Sequence, residues 1–137
     1  MRLIVTDPLS ILVRTMSTHP VNLALRFVLE LTALFALGYR GWSRHDGGLR
    51  IVLAFAVPLA AAGIWGVFST PGDRSRSAKA IVPTPGIIRL TLELLFFTAA
   101  ACSFYGADKQ IVALILAGIV VLHYGISYDR IAWLVKN

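Results

Sequence analysis

The chain has 137 residues, of which 57% are hydrophobic and 15% charged, with mean hydropathy +0.74 and net charge +6. Soluble chains average roughly 45–50% apolar and about 25% charged residues, so this composition points to a membrane protein and excludes a disordered or collagen-like chain and an ordinary soluble enzyme. A single cysteine, Cys102, excludes a disulfide framework and a cysteine-built zinc site. The basic residues form short runs between apolar stretches, which is the pattern of membrane-protein loops; no nucleic-acid partner is expected.

In chain order, residues 1–18 read as a tail or an interfacial segment. Leu9, Leu12, Val13 and Met16 recur at helical spacing, while Asp7 and Pro8 interrupt any signal-peptide pattern. Met16 is an alternative start site, and sequencing the native N-terminus decides whether residues 1–15 belong to the protein. Residues 19–137 form the membrane domain. A span needs about 20 mostly apolar residues to cross ~30 Å of hydrocarbon. Four segments qualify: residues 20–39, 51–70, 85–105 and 111–128.

Pro20 opens the first span. Thr84 followed by Pro85 reads as an N-cap with proline at the first helical position of the third. Pro58 lies inside the second span and is expected to kink it. Tyr39, Trp42, Trp65, Tyr105, Tyr128 and Trp133 fall near span ends, where aromatic rings suit the headgroup layer. Residues 71–83 read as a flexible polar linker, residues 40–50 as a turn, and the short turn at 106–110 makes the last two spans antiparallel neighbours. With four spans, the side holding both termini carries seven basic residues (Arg2, Arg14, Arg74, Arg76, Lys79, Arg130, Lys136). The other side carries four (Arg40, Arg44, Arg50, Lys109). The positive-inside rule therefore predicts cytoplasmic termini.

A 63-residue offset lays the first span on the third: Pro20 on Pro83, Arg26 on Arg89, Leu29 on Leu92, Glu30 on Glu93, Leu31 on Leu94. The expected fold is an all-α integral membrane four-helix bundle built from two pseudo-repeated helix hairpins, with a pseudo-two-fold axis along the membrane normal.

Glu30 and Glu93 are the chain's two glutamates, and both lie inside spans, each one turn after an arginine. Helix rise puts the arginines roughly 6–9 Å and the glutamates roughly 12–15 Å from the span starts. Each charge at such depth costs about 2.5–3.5 kcal/mol on insertion scales, so all four should face inward and satisfy one another. The expected pairing is crossed, Arg26 with Glu93 and Arg89 with Glu30. Asn22 lies on the same face one turn before Arg26, and Gly38 and Ala101 are expected to let the first and third helices approach closely. His123 falls at a similar depth and could join the glutamates, with Tyr124 or Tyr128, as a proton relay. Taken alone, His123 reads first as a satisfied core histidine, and Cys102 as a small packing residue. The cluster Asn22, Arg26, Glu30, Arg89, Glu93 and His123 has two readings: an ion network that fixes helix register, or a site for protons, a cation or an anionic ligand. Metalloprotease, serine-hydrolase and phosphate-loop motifs are absent from the sequence; no enzyme activity, metal or cofactor is expected.

The stretch His19-Pro20-Val21-Asn22-Leu23-Ala24-Leu25-Arg26-Phe27-Val28-Leu29-Glu30-Leu31, together with Pro83-Thr84-Pro85-Gly86 and Glu93, resembles the YrdB-like family of small bacterial membrane proteins over about residues 19–128. The resemblance implies a multi-pass inner-membrane protein of unassigned activity. The bilayer is the expected partner, with a membrane-protein partner or a homodimer in addition. Two functional classes follow: a scaffold or accessory subunit held by the ion network, or a small proton- or cation-coupled transporter or anionic-ligand-binding protein using Glu30 and Glu93.

Overall fold

The computed structural model describes residues 18–73 and 79–137. Most of the 1–18 tail and part of the 71–83 linker lie outside the described residues. Among the described residues the chain forms α1 (Pro20–Ser43), α2 (Gly47–Val67), α3 (Gly86–Gly106), α4 (Gln110–Ile126) and α5 (Tyr128–Lys136). Two-residue strands β1 (Phe68–Ser69) and β2 (Val82–Pro83) pair in parallel. Three helices, α1, α2 and α3, are long and apolar enough to cross a membrane, and a fourth span exists if α4 and α5, bent by 71°, cross together. At ~1.5 Å per residue, the 24 residues of α1 reach ~36 Å, enough for a ~30 Å hydrocarbon layer.

Helix starts follow from local chemistry. His19 caps α1: its Nδ1 accepts the Val21 N–H at 3.2 Å, and Pro20 follows as a residue with no N–H to satisfy. At α3 the sequence reading needs correction. Pro85, not Thr84, is the cap residue, and the Thr84 hydroxyl donates instead to the Val82 carbonyl at 2.9 Å. The turn between α3 and α4 puts Asp108 at φ 60°, a left-handed conformation that aspartate tolerates better than most residues.

Most buried positions repeat at three- and four-residue steps: Asn22, Arg26, Leu29, Ala33 and Ala36 on α1; Gly86, Arg89, Glu93, Phe97, Ala100 and Phe104 on α3; Ala113, Leu116, Val120 and His123 on α4; Gly38 and Gly41 on α1 and Ser103 on α3 are buried in addition. This spacing keeps one narrow seam per helix facing its neighbours. Ala33, Ala36 and Ala100 are fully buried, so methyl groups set the approach of helices in the core. Large apolar side chains such as Phe27, Phe35, Leu114 and Val121 point outward, as a hydrocarbon solvent allows.

α2 packs on the flank of α1 and buries no residue of its own. The contact depends on two glycines. A Cβ on Gly38 would lie 2.7 Å from the Ala54 carbonyl oxygen, and one on Gly41 would lie 2.8 Å from the Leu53 carbonyl carbon. Gly38 therefore admits α2 rather than α3, and Ala101 is only partly buried; Ala33, Ala36 and Ala100 take the role expected of Gly38 and Ala101. Cys102 is exposed rather than packed. The chain turns sharply after Ile126, and α5 crosses the end of the bundle from which α3 starts. A Cβ on Gly86 would overlap the Leu134 backbone there, so the glycine is what lets α5 seat.

Candidate functional site

The charged residues of α1 and α3 meet in the bundle. Within each helix the arginine lies one turn before its glutamate. Both pairs close in the same way: Arg26 Nε donates to Glu30 Oε1 at 3.0 Å, and Arg89 Nε donates to Glu93 Oε1 at 2.9 Å. The crossed pairing forms in one direction: Arg26 Nη2 reaches Glu93 Oε1 at 3.1 Å. Arg89, the expected partner of Glu30, instead sends Nη1 to the carbonyls of Trp65 at 2.7 Å and Phe68 at 2.5 Å. The Trp65 carbonyl lies in the last turn of α2 and the Phe68 carbonyl just beyond it, where a helix leaves carbonyls for outside donors, so Arg89 both neutralises Glu93 and ties down the loosely packed α2.

Glu93 is the hub. Besides Arg26 and Arg89, its Oε1 accepts from Arg130 Nη2 at 2.7 Å. Its Oε2 accepts from Arg130 Nη1 and from the Tyr124 hydroxyl, each at 2.8 Å. Arg130 thus holds the carboxylate with a two-pronged fork, the strongest geometry available to this pair. The same guanidinium reaches Asp73, with Nη2 to Oδ2 at 2.6 Å and Nε at 3.2–3.3 Å from both oxygens. Arg130, Asp73, Arg89 and Glu93 are all buried. Three guanidiniums and three carboxylates (Arg26, Arg89, Arg130; Glu30, Glu93, Asp73) balance to zero formal charge.

An aromatic layer packs against this set. The Arg89 guanidinium lies over Trp65, its carbon 4.3 Å from the indole ring centre, and that of Arg26 lies 5.8 Å from the same centre. The indole packs on Phe96 and Phe97, and Phe97 meets Tyr124 edge-on. Trp65 is therefore turned into the bundle, where its position near a span end had suggested a headgroup anchor.

Asn22 and His123 form a separate polar arm. His123 Nδ1 lies 2.9 Å from Asn22 Oδ1, and Asn22 Nδ2 donates to the Ser127 hydroxyl at 2.9 Å. His123 thus hydrogen-bonds an amide rather than a glutamate, which corrects the expected His–Glu relay: α4 presents Tyr124, one residue on, to Glu93.

Sequence reasoning brought Asn22, Arg26, Arg89, Glu93 and His123 to the right interior face but missed Arg130 and Asp73. Arg130 had a readable signal. The buried steps of α4 continue through Ser127, Arg130 and Leu134 at the same three- and four-residue spacing. Asp73 had none, and the linker reading of 71–83 is corrected at this residue, which is buried and ion-paired. Glu30 has fewer donors than Glu93, and its side chain retains 23% exposure.

Residues 24–121 match the family model described as "Protein of unknown function (DUF2568)". The chain is also 39% identical over 119 residues to "Uncharacterized protein YrdB" of Bacillus subtilis (strain 168), covering 87% of this chain and 97% of that protein. The chain belongs to this family. No solved structure matches it. The matched region holds Arg26, Glu30, Arg89 and Glu93, and ends before Arg130.

Proposed function

We propose that this YrdB-like protein is a non-catalytic, multi-pass protein of the bacterial inner membrane, a scaffold or accessory subunit whose Arg/Glu network is its structural core. In this reading α1–α2 and α3–α4 are two repeated hairpins forming four spans, and α5 lies in the membrane interface at the cytoplasmic end. The bilayer surrounds the bundle, and a membrane-protein partner or second copy is the remaining contact.

The observation that carries the reading is the saturation of Glu93. Its carboxylate is fully buried and accepts five hydrogen bonds from three arginines and a tyrosine. A carboxylate offers about four lone-pair sites, so neither oxygen is open to a proton or a ligand. Protonating it would also leave three buried guanidiniums short of a counter-charge, a costly state in low dielectric. Matching Nε–Oε1 geometry in the two Arg–Glu pairs supports the repeat. Orientation rests on the basic residues: withdrawing buried Arg130 from the loop count changes the balance from seven against four to six against four, still favouring cytoplasmic termini.

One observation favours the transport alternative. Glu30 keeps part of its carboxylate exposed inside a span, where an ionisable group is a functional candidate. Proteoliposomes carrying an internal pH dye separate the readings. The scaffold reading expects no protein-dependent proton flux from wild type, and lower membrane accumulation of Glu93→Gln. A flux present in wild type and lost in Glu30→Gln with normal accumulation overturns it.

A further inference from the structure

α5 has two faces. One carries Arg130 and Leu134, which are buried against the bundle. The other carries Tyr128, Ile131, Ala132 and Val135, an apolar stripe at steps of three, one and three residues. Tyr128 keeps 67% of its surface exposed and Val135 57%, while Ile131 and Ala132 are half-buried. The chain carries a second stripe with the same spacing. Leu9, Leu12, Val13 and Met16 share one face of a helical projection, and Asp7, Ser10 and Arg14 fall on the opposite face. These residues lie outside the described structure, whose N-terminal edge is Thr18. That edge is close to the start of α5. Asn22, four residues on from Thr18, bonds the hydroxyl of Ser127, the residue before α5. The six residues from Met16 to Asn22 reach at most ~20 Å. His19 is extended ahead of Pro20, at φ −61° and ψ 134°, so any helix before it ends there and the chain turns before α1.

We propose that residues 8–16 dock on the exposed stripe of α5 as an antiparallel helix. The junction at Ser127 sets the register: Met16 falls on Tyr128, Val13 and Leu12 on Ile131 and Ala132, and Leu9 on Val135. Asp7 followed by Pro8 supplies the cap residue and first position of such a helix, and the Met16 thioether meets the Tyr128 ring. The polar face with Ser10 and Arg14 is then left to solvent. The contact also answers a need of α5. At nine residues it is too short to persist without packing, and the tail gives it a second packed face opposite Arg130 and Leu134. Tethering favours this occupant: a segment held a few residues away acts at millimolar effective concentration, which a second copy or a partner protein must exceed. Lipid is the competing occupant, and the test separates the two. The docking leaves every bond of the Arg/Glu network in place and holds whichever way that network functions.

Paired cysteines in the full 137-residue chain, with Cys102→Ser, test the register. Leu9→Cys/Val135→Cys and Met16→Cys/Tyr128→Cys are oxidised in native membranes and read by non-reducing gel and intact mass. Both pairs should close within one chain, because a disulfide needs Cα atoms within about 7 Å. Leu9→Cys/Tyr128→Cys is displaced along the helices by ~10 Å and should stay open. Failure of both matched pairs, equal closure of the displaced pair, or bonds formed only between two chains overturns the docking. Hydrogen exchange supplies a measurement without cysteines. In Leu9→Asp/Leu12→Asp the amides of α5 should exchange faster by about tenfold, while those of Phe97 and Ala100 in α3 keep wild-type protection and report an intact bundle. Unchanged exchange of α5 would mean that lipid covers the stripe, and would overturn the proposal.

Discussion

Two glutamates with the same local sequence have come to do different work. Each follows an arginine by four residues, and each bonds that arginine's Nε. Glu93 is closed in by three guanidiniums and a phenol; Glu30 shares Arg26 and keeps part of its surface exposed. Removing one partner from a buried, hydrogen-bonded ion set typically costs about 3–5 kcal/mol, because the remaining charges stay buried. A partly exposed pair contributes ~1 kcal/mol or less. Glu93→Gln should therefore lower thermal stability in detergent several times more than Glu30→Gln. Equal losses would show that the exposed carboxylate carries as much of the fold as the buried one.

At the scale of elements, glycines decide which helices touch. Gly38 and Gly41 remove the side chains that would hold α2 away from α1, and Gly86 does the same for α5 against α3. Gly118 on α4 has open space around it. Gly86→Ala should lift α5 off the bundle, seen as loss of amide protection over Tyr128–Lys136. Gly118→Ala should leave the exchange pattern unchanged. Helix propensity alone favours alanine at both positions by up to ~1 kcal/mol, so the difference between them reports packing. α2 is a separate case. Without a buried residue, it is held by the two glycine contacts and by Arg89, whose guanidinium binds the Trp65 and Phe68 carbonyls and lies over the Trp65 ring.

For the molecule as a whole, the end that gathers the start of α1, the β1–β2 bridge, the start of α3 and α5 carries the network, while the other end is closed by short turns. Arg44 pairs there with Asp108 at 3.1 Å, and Arg50 stacks on Trp42 at 4.0 Å, both at the surface. A four-span arrangement puts both termini on one side. Cysteines introduced at each terminus in a Cys102→Ser background should both resist a membrane-impermeant maleimide applied outside intact cells, and react once the membrane is opened. Labelling of one terminus alone would mean an odd number of crossings, with α4 and α5 not forming the fourth.

Hydropathy and spacing by themselves determined the apolar helices, the inward face of α1 and α3, and the need for Arg26, Arg89 and Glu93 to neutralise one another. These are consequences of period and solvent: a charge in hydrocarbon must find a partner, and a helix repeats its face every three to four residues. The tertiary structure alone decided that Glu93 rather than Glu30 is the centre. That depended on Arg130, 37 residues after Glu93, which meets it because α5 folds back at Ser127, and on Asp73, 20 residues before Glu93, which pairs with that arginine. A sharp bend at one residue leaves little mark on a hydropathy profile, and a buried aspartate in a polar connection reads as a solvated one until its arginine is in place.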